Sequence, residues 1–151
     1  MERYEHFIKS NKNTPTHRQG ESTRNMSVQL YNELTHRLTT LPMPVIEEDN
    51  VLKGRYTERQ FEEAVHLRDF TGCLLVHYAC RYNASESVIQ LLLDSYNGNN
   101  SIYKKNVMGW LPIHAACEQG FLHLDIFRLL ISRDVEKKTL LVKDQRGRVP
   151  L

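Results

Sequence analysis

The stretch Gly109-Trp110-Leu111-Pro112-Ile113-His114-Ala115-Ala116-Cys117 decides how the rest of the chain is read, because it has copies. Upstream stands Gly72-Cys73-Leu74-Leu75-Val76-His77-Tyr78-Ala79-Cys80, and downstream Gly147-Arg148-Val149-Pro150-Leu151. The glycines at 72, 109 and 147 are 37 and then 38 residues apart, and the stretches match position by position. Self-similarity at a fixed period of this size is the signature of a repeat array, in which each unit buries its apolar face only against a neighbour.

Before each glycine the same turn is written: Asp69-Phe70-Thr71-Gly72, Asn106-Val107-Met108-Gly109 and Asp144-Gln145-Arg146-Gly147. Asp or Asn at the first position bonds forward to backbone amides, and Gly at the fourth tolerates positive φ. After the turn the apolar period becomes helical. Val76, Ala79 and Cys80 share a small-residue face, as do Ile113, Ala116 and Cys117, and Pro112 suits a first helical turn. A second helix follows in each unit, with Val88, Ile89, Leu91 and Leu92 in one and Ile126, Phe127, Leu129 and Leu130 in the other. Ser85 or Ser87 is placed to cap the first of these, and His123 or Asp125 begins the other. The connectors Ser101–Lys105 and Thr139–Lys143 lead into the next turn, and extended residues on both sides of it predict a hairpin-like finger.

Working outward, Ser10 to Asn25 holds no aliphatic or aromatic side chain, so residues 1–26 read as a mostly disordered tail, with Tyr4, Phe7 and Ile8 as a solvated patch in preference to a docking peptide. Ser27 offers an N-cap to a helix bearing Leu30, Tyr31, Leu34, Leu38 and Leu41 on one face, ended by Pro42 and Pro44. Glu47 to Asn50 and Gly54 make a loop. Thr57 with Gln60 forms a capping box for a second helix with Phe61, Ala64 and Val65 inward. A helix pair in front of the first clear repeat is where a solenoid needs its stacking face covered, so 27–67 is expected to be a cap or degenerate repeat. The repeat region is then 68–151, divided as 69–105, 106–143 and a partial 144–151. The fold class is an all-α helix-turn-helix solenoid with hairpin fingers and an N-terminal helical cap.

Net charge is +2, from 20 basic and 18 acidic side chains, without polarisation between the halves of the chain. Such a balance lacks the dense basic stripe of a nucleic-acid binder, and no apolar run is long enough to span a bilayer. The opening Met-Glu-Arg-Tyr-Glu-His lacks the apolar core of a signal peptide, so an intracellular, cytoplasmic protein is expected, the nucleus not being excluded by the sequence. Three cysteines, two at equivalent repeat positions, are read as reduced thiols.

At these motifs the sequence resembles the ankyrin-repeat family, whose unit is an Asp-x-x-Gly turn, then Thr-Pro-Leu-His-x-Ala, then a helix with paired leucines. Its unit, longer than the family's usual 33 residues, and the His-x-Ala-Cys motif are also similar to ankyrin sets expanded in algae such as diatoms. Leu74, Leu111 and Val149 replace the family's threonine, Leu75 replaces its proline in the first unit, and Asn83-Ala84 stands where a glycine between helices is expected, while Gly120 keeps it in the second. The resemblance implies that His77 and His114 tie adjacent hairpins by hydrogen bonds. It also implies variable contact positions on the concave face: Phe70, Thr71, Cys73, Arg81 and Tyr82 in the first unit, and Lys105, Val107, Met108, Trp110, Glu118 and Gln119 in the second. Among them Trp110, Tyr82 and Arg81 are the first choices, since such residues are enriched at binding hot spots. Trp110 has the competing reading of finger-to-finger packing.

Other chemistry is set aside. His77-x-x-Cys80 and His114-x-x-Cys117 could supply four zinc ligands, but units stacked about 10 Å apart keep them from converging. A Cys–His nucleophile has no evident oxyanion donor or orienting third group, and no glycine-rich phosphate loop is present. The lysine pairs read as solvated charges with a lesser role at the rim of an acidic partner. The expectation is therefore a non-enzymatic protein-interaction module without cofactor or metal, binding a protein partner through the concave surface. It would be monomeric or associate through an uncapped C-terminal end. The alternative is a truncated or regulatory fragment of a larger ankyrin-repeat protein with an effector or enzyme domain elsewhere.

Overall fold

The computed structural model describes residues 18–40, 56–95, 100–118 and 124–150, with side chains from Arg24 onward. The expectations for residues 1–17 and 41–55, and for Gln119, Gly120, His123 and Leu151, lie outside them. Six α-helices form, and no strand among the described residues: α1 (Arg18–Thr40), α2 (Glu58–His66), α3 (Leu75–Arg81), α4 (Glu86–Asp94), α5 (Pro112–Glu118) and α6 (Leu124–Arg133). Two short 3-10 helices, Asn100–Tyr103 and Lys138–Leu141, follow α4 and α6.

The turns set the frame. Asp69 Oδ1 accepts from the amides of Thr71 and Cys73, both at 2.9 Å. Asn106 Oδ1 takes Met108 and Trp110, at 2.9 and 3.0 Å, and Asp144 Oδ1 takes Arg146 and Arg148, at 2.8 and 2.9 Å. Each closing glycine has φ near +75°, the conformation that penalises a Cβ. Adjacent fingers are joined through the backbone: Val107 N–H donates to Thr71 O at 2.9 Å, and Gln145 N–H to Met108 O at 3.1 Å.

Behind the fingers the inner helices α3 and α5 pack on each other, and the outer helices α4 and α6 do the same. Leu74, Leu75, Ile89, Leu93, Leu111, Ile113 and Leu130 fill the continuous core between them. Asn83 adopts φ +56° where the glycine between helices was expected, and Ala84 N–H closes that turn on Ala79 O at 2.9 Å. An Asn enters the left-handed region more easily than most side chains, so the reversal survives without glycine.

α1 packs against both α2 and α3. Leu30, Leu34 and Leu38 are buried there, each contributing about 2 kcal/mol, and Tyr31 Oη donates to Cys73 O at 2.8 Å, which ties α1 to the first finger. The capping box of Thr57 and Gln60 forms as expected, with Thr57 N–H on Gln60 Oε1 at 2.8 Å.

Three local expectations are corrected. Ser27 is not an N-cap, because α1 begins at Arg18; residues 18–26, assigned to a disordered tail, are helical, and Ser27 Oγ donates to Glu63 Oε2 at 2.8 Å. A docked helix extends outward at little cost through good helix formers such as Arg18, Gln19 and Glu21, even with no apolar face to bury. Ser85 occupies the N-cap position of α4, but its hydroxyl turns to Ser87 Oγ and caps nothing. The connectors are not extended throughout. Asp134, 1 % exposed, accepts the Thr139 amide at 2.8 Å and its hydroxyl at 2.6 Å, which winds Lys138–Leu141 into a 3-10 turn.

Candidate functional site

Each inner helix presents its histidine toward the following finger. His77 Nδ1 accepts the Leu74 amide at 3.1 Å, so the neutral ring carries its proton on Nε2, which donates to Lys104 O at 3.0 Å and Trp110 O at 3.2 Å. Leucine at position 74 therefore removes the hydroxyl cap without removing the histidine's tie. Burial lowers the His77 pKa to about 4, against the pull of those two carbonyls. His114 repeats the inner half of the arrangement, with Nδ1 on the Leu111 amide at 3.2 Å. Its Nε2 closes no hydrogen bond among the described residues. Burial lowers its pKa too, opposed by the nearby carbonyls of Arg148 and Val142.

A groove of about 260 Å³ opens between the first two fingers and the inner helices. It gathers six residues expected to make partner contacts: Thr71, Cys73, Arg81, Met108, Trp110 and Glu118. Arg81 reaches across the units to Glu118 at 2.9 Å. The Arg81 guanidinium also lies 5.8 Å from the ring centre of Tyr82, and its Nε has no hydrogen-bond partner among the described residues. Phe70 and Val107 stand outside this groove as exposed finger tips, 60 % and 53 % accessible. Lys105 is exposed and reaches the Lys143 carbonyl. Gln119 lies outside the described residues.

His77, Tyr78, Asn106 and Ala115 complete the groove, and none of the four was expected among the partner contacts. Tyr78 had a signal: it stands four residues before Tyr82, which caps the end of α3, a spacing that brings side chains to one face, and the two rings stack 6.5 Å apart. Its hydroxyl donates to Asp69 Oδ2, fixing the helix to its own finger.

Trp110 is engaged with the next unit. Its Nε1 donates to Asp144 Oδ2 at 3.1 Å, and the Arg148 guanidinium lies 5.9 Å from its ring centre. Burial pushes the Asp144 carboxyl up, but hydrogen bonds from Arg148, Trp110 and Arg146 outweigh it and hold the group well below the usual carboxylate range. Trp110 thus serves the packing of the third finger while lining the groove. Replacing Trp110 with Ala is expected to cost about 2 kcal/mol, less than a fully buried Trp. Urea unfolding checks this, and an unchanged midpoint would leave the ring with no structural share.

The zinc and nucleophile readings meet the same geometry. Both ring nitrogens of His77 are occupied by the backbone, and burial pushes the Cys80 and Cys117 thiols up, away from the thiolate that ligation and attack require. Among the described residues no three His, Cys, Asp or Glu side chains are grouped to hold a metal ion. No described helix is long and apolar enough to cross a membrane.

Stacked helix pairs joined by glycine-closed fingers define a helical repeat solenoid. The family model for ankyrin repeats, in three copies, matches residues 54–140, and the chain belongs to the ankyrin-repeat family. The match begins ahead of α2, upstream of the first unit that the motif marks. No curated protein sequence matches the chain. Ankyrin repeats generally mediate protein–protein interaction, and the family is typically non-enzymatic.

Proposed function

We propose that the chain is a non-enzymatic binding module that holds a protein partner on the concave side, in the groove between the first two fingers. The observation that carries this reading is the convergence there of Arg81, Met108, Trp110 and Glu118, residues the repeat pattern does not dictate. The groove joins an apolar wall of Met108, Tyr78 and Trp110 to a charge pair and an unsatisfied Arg81 Nε. That combination suits a side chain with an apolar body and a polar tip. On the same reading, residues 27–67 are the helical cap of the array or a degenerate repeat, with α1 covering the open side of α3.

Met108 is the cleanest probe, since the residue is 38 % exposed and its hydrogen bond to the next finger is made by its backbone carbonyl. In affinity capture followed by direct titration of the retained protein, Met108→Glu is expected to weaken binding about tenfold or more while leaving the melting temperature unchanged. A partner held equally by both proteins would place the binding surface elsewhere.

A further inference from the structure

The residue just before each turn is basic in all three units: Arg68, Lys105 and Lys143. The first two of these side chains reach toward the next unit. Arg68 donates to the carbonyl of Lys105 at 2.8 Å and to that of Gly72 at 3.2 Å, and Lys105 Nζ repeats the relation on the carbonyl of Lys143 at 3.4 Å. No carboxylate pairs with any of the three among the described residues, and Lys105 and Lys143 are exposed. The finger segments 67–73, 104–110 and 142–149 hold six bases, Arg68, Lys104, Lys105, Lys143, Arg146 and Arg148, against two acids. Both acids, Asp69 and Asp144, are bonded within or between turns. The fingers alone thus carry a larger positive charge than the whole chain, and the outer helix α4 carries Glu86 and Asp94 and no base.

We infer that this row of cations, one per unit, is a docking ladder for an acidic peptide segment lying along the stack, with a carboxylate at every third residue. The inference rests on the protein-binding reading above and names the chemistry of the partner. The spacing argues for the register. Packed helices stand about 8–10 Å apart, and a polyproline II chain brings every third side chain back to one face after a rise of about 9 Å. Carboxylates three residues apart then meet successive cations without distortion. The flanking finger tips Phe70, Val107 and Met108 are apolar, and aliphatic tips such as Val107 favour peptide side chains over stacked bases.

The test uses the full chain and a fluorescently labelled peptide of four Glu-Pro-Pro triplets, against an isomer with its four glutamates contiguous, by anisotropy at low salt. The triplet peptide is expected to bind about fivefold tighter than the block isomer, and Lys105→Gln with Lys143→Gln to weaken it about tenfold and abolish that preference, with melting temperature unchanged. No binding of the triplet peptide, equal affinity for the two isomers, or indifference to the lysine pair overturns the ladder. Tighter binding of a single-stranded oligothymidylate overturns it in favour of a nucleic acid. Neither lysine lines the groove, so a natural partner lost on Met108→Glu yet indifferent to the lysine pair would preserve the protein-binding reading while rejecting this one.

Discussion

His77→Ala is expected to lower the unfolding free energy of this chain by about 3–5 kcal/mol. The side chain is 2 % exposed and closes three bonds, to the Leu74 amide and to the carbonyls of Lys104 and Trp110. Truncation leaves those buried groups without their partner and opens a cavity between units. For a chain of this length that corresponds to a fall in melting temperature of about 10–15 °C. His114→Ala provides the internal comparison. Its Nδ1 bond is equivalent, but its Nε2 faces the carbonyls of Arg148 and Val142 without closing a hydrogen bond among the described residues, so about half the loss is expected. Equal losses at the two positions would show that the Nε2 bonds to the next finger contribute little.

The same histidine sets a pH window. Its folded pKa lies near 4, below the ordinary 6.5, so between these values the unfolded chain binds the extra proton and stability rises with pH. The contribution is complete above about pH 6.5, is lost as pH falls toward 4, and amounts to about 3 kcal/mol across the window. His114 shifts in the same direction and adds to the slope. Asp134 and Asp144, whose folded pKa values are depressed, act at the other end: their contribution is present above the ordinary carboxylate range and is lost only as pH falls below it. Urea titrations from pH 7 to 4 therefore separate the groups, and the slope between 6.5 and 4 should shrink in His77→Ala.

The turns and inner helices were legible because their chemistry is local. An Asx residue, a glycine three positions on and a histidine five beyond it are read within one unit, and the structure closes the same bonds at Asp69, Asn106 and Asp144. What lay beyond reach depends on pairs one unit apart. The bond from Trp110 to Asp144 spans 34 residues and decides that the indole serves the next finger. Nothing in the local pattern around Trp110 announces it. The 3-10 turn at Lys138 depends on a buried Asp134 whose partner is five residues on, a spacing that neither helix nor strand periodicity reveals. The start of α1 was hidden for a different reason: Arg18 to Asn25 has helix-forming residues but no apolar face, and composition alone does not separate such a segment from a tail. Charge was the opposite case. It balances between the halves of the chain, yet in the phase of the repeat Arg68, Lys105 and Lys143 fall in one row.

Gly109→Ala against Gly147→Ala isolates what stacking adds to a turn. Both glycines have nearly the same φ, +76° and +75°, so the intrinsic penalty for an L side chain is common to both. That penalty is about 1–2 kcal/mol, offset in part by the lower entropy of the unfolded alanine chain. Gly147 has no atom within 4 Å of the added Cβ, and a net loss of about 1 kcal/mol is expected. At Gly109 the Cβ would lie 3.0 Å from the amide nitrogen of Gln145 and 3.3 Å from the Asp144 backbone. Those atoms belong to the next finger and cannot rotate away like the end of a side chain. The finger must retreat, which stretches the Gln145 N–H bond to Met108 O and loosens the Asp144 carboxylate from the Trp110 indole. A loss of about 3 kcal/mol is therefore expected, the excess over Gly147 measuring the inter-finger contact. Urea midpoints for the two variants read it directly. Equal midpoints would mean that the third finger can withdraw at no cost, and that the backbone bonds between fingers follow from helix stacking without reinforcing it.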